Sequence, residues 1–318
     1  MRVLFIGFNY HEYTLSICDE FVKMGFETVF CDIQPSTFRY KIARRASKWL
    51  YDLMMKRYHG SILDLYPDDH FDKVVFLQVH QFDASLLREL RRRQRKAIFT
   101  LYNWDSLATH DYRPYITMFD RVLTFDQKDA EELGIEYLPL FAMRKYQILI
   151  NEIPRDNAVY FVGNIVNPQR YKAIMAFRAY CAKEKIDFKF YLSTTVHGLT
   201  KMLVAGIVPR RVKFKPVAED LLIKLVSEST AVFDFANHQQ TGFTMRVMEN
   251  LCAGRRVITN NAYIKEAEFY DADRFFLYKG FDFSGVAEFV RGSSGLEDAD
   301  LSSYSVQNFA AKLIGAAK

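Results

Sequence analysis

Short β-branched or aromatic runs alternate with longer stretches of helical periodicity from one end of the chain to the other, the pattern of a βαβ series. The runs predict strands near 2–7, 27–31, 73–79, 97–102, 121–125 and 136–138, with helices near 11–24, 36–57, 83–95 and 126–133 between them. Val74-Val75-Phe76-Leu77 and Ala97-Ile98-Phe99-Thr100-Leu101 show no polar alternation, as expected of parallel strands covered on both faces. Such a series makes a doubly wound sheet. The rhythm breaks between about 139 and 157, where Pro139, Pro154 and polar Asn151-Glu152 and Arg155-Asp156-Asn157 fall. It then restarts, with strands near 158–162, 187–192, 211–214, 231–235, 256–260 and 274–277 and helices near 168–183, 197–205, 218–228, 243–253 and 283–291. The expectation is an α/β protein of two Rossmann-like domains, 1–150 and 151–318, facing an interdomain cleft. A last helix near 305–316 closes the chain and can pack across the boundary.

Composition narrows the class. A length of 318 residues suits two domains, and 50% hydrophobic with 25% charged residues excludes disorder. Lys and Arg number 43 against 38 Asp and Glu, a net charge of +5 that fits an anionic small ligand or surface and asks for no nucleic acid. Cys18, Cys31, Cys181 and Cys252 lie far apart with no CxxC pair, which suggests neither a zinc cluster nor a disulfide framework and fits a reducing cytosol. The apolar run at the start, Val3-Leu4-Phe5-Ile6, is too short for a signal-peptide core, and no window approaches a membrane span. A soluble or at most peripheral protein is expected.

In open α/β sheets ligands sit beyond the carboxyl ends of strands. That directs attention to 7–11, 78–81, 102–105, 163–170, Lys215 and 236–249. The richest stretch runs from Phe233 to Gly254: an apolar strand, a polar loop, Thr241-Gly242 opening a helix, and a helix-stopping glycine. Amides at such a helix start can hold a phosphate. Gly242, Arg246 and Glu249 are spaced by four and three and share a face, while Phe243, Val247 and Leu251 form an apolar stripe on another. The order suits a nucleotide, with diphosphate at the helix start and Arg246 and ribose hydroxyls on Glu249. The plain alternative is an Arg246–Glu249 salt bridge on an exposed helix.

The segment Gln240-Thr241-Gly242-Phe243-Thr244-Met245-Arg246-Val247-Met248-Glu249, continuing through Asn250-Leu251-Cys252-Ala253-Gly254 to Arg255-Arg256-Val257-Ile258-Thr259-Asn260, resembles the nucleotide-sugar loop and helix of GT-B glycosyltransferases, most of all bacterial capsular and lipopolysaccharide biosynthesis enzymes. Leu101-Tyr102-Asn103-Trp104-Asp105-Ser106-Leu107, the stretch from Phe119 to Asp126, Leu138-Pro139-Leu140-Phe141 and Phe161-Val162-Gly163-Asn164 follow in the order of that group, so the resemblance covers roughly 70–280. It implies a nucleotide-sugar donor held mainly by the second domain, no obligatory metal or other cofactor, and a glycan or lipid-linked acceptor held mainly by the first. Gly242, Thr244 and Arg246 would then meet the charge on the leaving diphosphate. By the same resemblance Gly163 and Asn164 face the diphosphate with Arg170 as a second cation, and Lys213-Phe214-Lys215 lies where the base is held. There Phe214 is expected in the core, leaving backbone contacts and Lys215 for the ligand.

Asp105, beyond an apolar strand, is the first candidate for the general base an inverting transferase needs, and His11 is the second; Asp105 can equally cap a following helix. Gln78, His80 and Gln81 leave another strand and can line the acceptor groove or merely be solvated. His238, Gln239 and Gln240, with Thr241, belong to a loop long enough to touch sugar hydroxyls. Asp271-Ala272-Asp273 has the spelling of a metal-binding DxD but sits in a polar turn. Segment 36–57 reads as one long basic amphipathic helix; packing on its own sheet is the expectation, with peripheral contact to an anionic membrane as the alternative. Arg91-Arg92-Arg93-Gln94-Arg95-Lys96 suits a solvated helix end. Among rivals, an NAD oxidoreductase fails because Gly7-Phe8-Asn9-Tyr10-His11 is not GxGxxG. A nucleotide-sugar epimerase shares the architecture, a noncatalytic nucleotide-sugar-binding protein is a further alternative, and a scaffold or nucleic-acid binder would dispense with the Gly242, Arg246, Glu249 stripe.

Overall fold

Parallel pairing runs through both halves of the chain in the computed structural model, which describes residues 1–9, 12–35, 37–236, 241–292 and 301–316. Strands β1 (Arg2–Gly7), β2 (Glu27–Asp32), β3 (Lys73–Leu77), β4 (Ile98–Asn103), β5 (Arg121–Thr124) and β6 (Glu136–Tyr137) form one sheet in the order β2-β1-β3-β4-β5-β6. Helices α1 (Tyr13–Lys23), α2 (Phe38–Ala46), α3 (Lys48–Asp64), α4 (Ala84–Arg93) and α5 (Gln127–Leu133) connect them. The second sheet holds β7 (Arg155–Asn164), β8 (Asp187–Ser193), β9 (Val212–Lys213), β10 (Ser229–Phe233), β11 (Arg256–Thr259) and β12 (Phe275–Leu277), ordered β12-β11-β10-β7-β8-β9. Its helices are α6 (Arg144–Gln147), α7 (Pro168–Glu184), α8 (Val196–Val204), α9 (Glu219–Glu228), α10 (Met245–Cys252) and α11 (Val286–Arg291), and α12 (Val306–Ile314) ends the chain.

The chain divides into two compact units. The first comprises Met1–Leu140, Thr241, Gly242 and α12; the second comprises 141–236 and Phe243–Ser305. Phe141 to Asn151 thus go with the second unit, and the last helix with the first. There the ring of Phe309 meets Tyr102 edge-on at 5.0 Å, Lys73 Nζ donates to the Ile314 carbonyl at 2.8 Å, and Arg121 Nη1 reaches those of Lys312 and Leu313 at 3.3 Å. Cations on the last carbonyls of a helix favour its dipole.

Each unit has its own core. The uninterrupted apolar strands are buried as their pattern predicts, with Phe76 and Leu101 in the first core and Phe161 and Phe233 in the second. Phe177 of α7 stacks on Phe233 with centroids 4.2 Å apart, seating that helix on the sheet. Read from β7, the second sheet has the dinucleotide-fold order 3-2-1-4-5-6, whose order reverses between β7 and β10. In the first sheet the reversal falls between β1 and β3.

Two expectations change here. The predicted helix 36–57 is two helices: Ser47 is extended (φ −159°, ψ 122°), and its hydroxyl accepts the Leu50 N–H at 3.3 Å as the cap of α3. Its apolar face is not packed throughout, since Ala43 is the buried residue of α2 and Phe38, Ile42 and Trp49 stay exposed. Phe214, expected in the core, is exposed beyond the end of the two-residue strand β9. The four cysteines carry free thiols, and among the described residues no helix is long and apolar enough to cross a membrane.

Candidate functional site

β7 and β10 are parallel neighbours, so their carboxyl ends bring Gly163 and Asp234 to the reversal point of the second sheet. Asp234 follows the last residue of β10 and is fully buried. Its Oδ1 accepts from Arg246 Nη1 at 2.9 Å and from the Thr244 hydroxyl at 3.4 Å, and its Oδ2 accepts from the Thr259 hydroxyl at 2.9 Å. Its carbonyl accepts from the Tyr278 hydroxyl at 3.1 Å. Burial first, and the Asp234 charge second, hold that phenol far above its ordinary range. A buried charge persists only when paired and hydrogen-bonded, and Asp234 meets both conditions.

Arg246 faces this carboxylate from α10, and its Nη2 donates to the Val162 carbonyl at 2.7 Å while its guanidinium lies 4.8 Å over the Phe161 ring. Gly163 makes this possible. A Cβ there would come within 2.8 Å of the Phe161 ring and 3.3 Å of Arg246 Nη2. Thr244 caps α10, its hydroxyl accepting the Val247 N–H at 3.4 Å. Arg170, in the first turn of α7, donates to the Asn164 carbonyl at 3.3 Å and to the Phe235 carbonyl at 3.5 Å, while its buried Nε has no partner among the described residues. Burial, then the like charge of Arg246, push the Arg170 guanidinium below its ordinary pKa. Arg246 is thus paired with Asp234, while Arg170 bonds only backbone carbonyls and feels the Asp234 charge from a distance, so two guanidiniums gather at these strand ends around one directly paired carboxylate. Beside them a cavity of about 380 Å³ is lined by Gln169, Phe235, Asn260, Tyr278, Lys279 and Phe281, among others.

Of the remaining candidates in this unit, Glu249 is buried on α10, where its charge contributes to raising Tyr160 and the Cys252 thiol, the latter to about 12 with burial as the larger cause. The alternative of an exposed Arg246–Glu249 helix does not hold, because Arg246 pairs with Asp234 and six of the eight residues of α10 are buried. Lys215 is exposed, and its carbonyl accepts from the Tyr191 hydroxyl at 3.1 Å. Asp271 Oδ1 accepts the Asp273 N–H at 2.8 Å, which makes that segment the polar turn expected of it. His11, His238, Gln239 and Gln240 lie outside the described residues.

Thr241 and Gly242 belong to the first unit and have a task the sequence did not suggest. Both amides donate to Asp126 Oδ2, at 2.8 and 3.0 Å, and the Thr241 hydroxyl donates to Oδ1. Asp126 is buried and also caps α5. Gly242 is pressed so close to Phe125 that a Cβ would come within 2.5 Å of the ring. Helix α10 accordingly starts at Met245.

A second polar cluster lies beyond β3 and β4 of the first unit. Gln78, buried and in the left-handed region at φ +67°, points its amide so that Nε2 donates to Asp105 Oδ2 at 2.5 Å. His110 Nε2 lies 3.9 Å from the same oxygen, and its ring stacks on His80 with centroids 3.6 Å apart. The Gln81 side-chain amide contacts His80 Nε2. Asp105 caps no helix: the next helical element is a 3₁₀ turn at Arg113–Met118. The buried atoms Asn103 Nδ2 and Gln81 Oε1 have no partner among the described residues. His110, Asp126 and Asp234 were not singled out as site residues, although Asp234 carried a signal, as an acid within the apolar run Ala231-Val232-Phe233-Asp234-Phe235.

Burial, then the His110 charge, lower His80 from its ordinary 6.5 to about 4. Between those pH values the unfolded chain binds a proton that the native imidazole refuses, so stability falls as pH drops through that window. His59, buried and stacked on Phe82, is lowered by burial and adds to the fall. The melting temperature is expected to drop between pH 7 and 4.5, and His80→Gln to recover part of the drop. A variant whose pH slope matches wild type would remove His80 as a cause.

No protein-family model matches the sequence, and no curated protein matches it. Solved structures do. An α-glucosyltransferase in complex with UDP and a 13-mer DNA matches with a TM-score of 0.64 at 11% identity, over 100% of this chain and 96% of that one. A putative UDP-N-acetylglucosamine 2-epimerase from Listeria monocytogenes matches at 0.56 and 11%, over 99% and 95%. The lipopolysaccharide outer core galactosyltransferase WaaB matches at 0.52 and 14%, over 98% and 95%. The fold is therefore the GT-B glycosyltransferase fold of two Rossmann-like domains, as the motif order implied.

Proposed function

We propose that the protein is a metal-independent, hexosyltransferase-like glycosyltransferase that moves a sugar from a nucleotide-sugar donor to a growing surface polysaccharide or lipid-linked glycan. The carrying observation is the Arg170–Arg246 pair around buried Asp234 at the reversal point of the second sheet. Partly desolvated guanidiniums with spare N–H capacity bind diphosphate oxygens, and they also meet the charge that builds as the diphosphate leaves. The UDP held by the α-glucosyltransferase supports this choice of ligand. Gly163 and Asn164 line the approach, Thr244 adds a hydroxyl, Glu249 is the ribose partner, and Lys215 is assigned to the base side. In the first unit Asp105, kept in place by Gln78, takes the acceptor hydroxyl proton. The acceptor oxygen then bonds to the anomeric carbon while the carbon–oxygen bond to phosphate breaks, and the nucleoside diphosphate departs with the electron pair. The reaction is assigned to the cytoplasm, with peripheral contact to an anionic membrane through 36–57.

A nucleotide-sugar epimerase is the second reading, because one structural neighbour carries that description. Thermal-shift screening with UDP, GDP, CMP and dTDP tests the ligand: one of them should raise the melting temperature, by about 2.7 kcal/mol of stability at a hundredfold excess over its Kd. If none does, the nucleotide-sugar reading loses its support. Product analysis with and without acceptor glycan then separates transfer from epimerisation.

A further inference from the structure

The cavity beside Arg170 lies beyond the groups assigned to the diphosphate. It opens at the carboxyl ends of β10, β11 and β12, where Phe235, Asn260 and Tyr278 leave their strands. Phe235 and Tyr278 are 5% and 2% exposed and form a fixed aromatic floor: the Arg170 guanidinium lies 5.9 Å over the Phe235 ring, and the Tyr278 hydroxyl is tied to the Asp234 carbonyl. Asn260 is held by the Ala236 amide, which donates to its Oδ1 at 2.7 Å. Beyond β12 the chain turns back through Gly280, in the left-handed region at φ +57°, with Lys279 and Asp282 bridged antiparallel. That turn puts Lys279 and Phe281, both exposed, on the cavity wall. Among the described residues Lys279 is the one charged group on the wall and makes no ion pair; the neighbouring carboxylate, Asp282, accepts the Ser284 amide instead.

Aromatic walls, a few amides and a single charge suit a small ring-shaped ligand that carries the opposite charge. A diphosphate on Arg170 and Arg246 has two ends. With the ribose on Glu249 of α10, the end that carries the sugar is left for the side of Arg170 where the cavity begins. A neutral hexose there would find the amides of Gln169 and Asn260 but leave the Lys279 ammonium to water, whereas a carboxylate on the ring takes its hydrogen bond. We propose that the cavity holds the transferred sugar and that this sugar is a hexuronic acid, its ring on Phe235 and Tyr278 and its carboxylate on Lys279. The inference rests on the nucleotide-sugar reading of the site and adds the class of donor, a nucleoside diphosphate hexuronate.

Isothermal titration with UDP, UDP-glucose and UDP-glucuronic acid, and with GDP, GDP-mannose and GDP-mannuronic acid, tests it. The hexuronate nucleotide is expected to bind about five- to tenfold more tightly than its neutral counterpart, and the margin to shrink as salt is raised. Lys279→Ala should remove the margin, Lys279→Glu reverse it and Lys279→Arg keep it. All three should retain the wild-type melting temperature and affinity for the free nucleoside diphosphate, because the side chain is exposed. Equal affinity for the two sugars, or a margin that survives Lys279→Ala, would overturn the proposal while leaving nucleotide binding intact. Loss of affinity for the free nucleoside diphosphate in Lys279→Ala would count equally against it, since the nucleoside would then occupy the cavity. If neither the nucleoside diphosphates nor the sugar nucleotides bind, the nucleotide-sugar reading falls and the inference with it.

Discussion

Arg246→Ala is expected to melt about 6–12 °C below wild type and to lose nucleotide affinity by about 10- to 150-fold. The thermal effect follows from the fully buried carboxylate of Asp234, which the substitution strips of its cation. Breaking a buried pair from one side costs about 3–5 kcal/mol, and about 3 kcal/mol corresponds to that shift in a unit of this size. The binding effect is separate, since a charge-assisted hydrogen bond to a diphosphate contributes about 1.5–3 kcal/mol. A double variant distinguishes the two. Adding Asp234→Asn removes the orphaned charge, so stability should recover while affinity does not. Calorimetric melting and titration with UDP read both quantities. Wild-type affinity in either variant would remove Arg246 from the diphosphate site.

Asp105→Asn should lower turnover by about 10²- to 10⁴-fold with little change in melting temperature, because an amide keeps the shape and still accepts the Gln78 hydrogen bond while it cannot take a proton. The Michaelis constant for the donor should stay near wild type, the donor being assigned to the other unit. Steady-state rates with donor and acceptor glycan measure this. Undiminished turnover would exclude Asp105 as the base and leave the neighbouring His110 as the group to replace next.

Sheet composition and strand positions were legible because strands covered on both faces leave unbroken apolar runs, as in Val74-Val75-Phe76-Leu77, and that signal depends on local sequence alone. Arg170 was picked out by resemblance and Arg246 by its helical spacing with Glu249, and the structure places both near Asp234, their part in binding a ligand being the proposal above. The carboxylate near them was not read as a partner. Asp234 looks like an interruption of a strand until Arg246, Thr259 and Tyr278, from 12 to 44 positions further on, converge on it. Thr241 and Gly242 misled for the same reason: amides at a helix start look available to phosphate, and only tertiary structure reveals that a carboxylate more than a hundred positions earlier accepts them. The break at Ser47 was missed because the basic amphipathic pattern continues through it, while the cap that divides the helix is a single hydroxyl.

Helix α12 sets an order on folding. The first unit takes its cover over Tyr102, and the carbonyls that satisfy Lys73 and Arg121, from residues 309–314. Everything from 141 to 305 is synthesised in between, and it includes a whole sheet with its own core. On the ribosome the later-encoded unit can therefore reach its native core while the earlier one still lacks its closing helix. The first unit is completed last, by contacts of very long sequence separation that form only after residues 309–314 emerge.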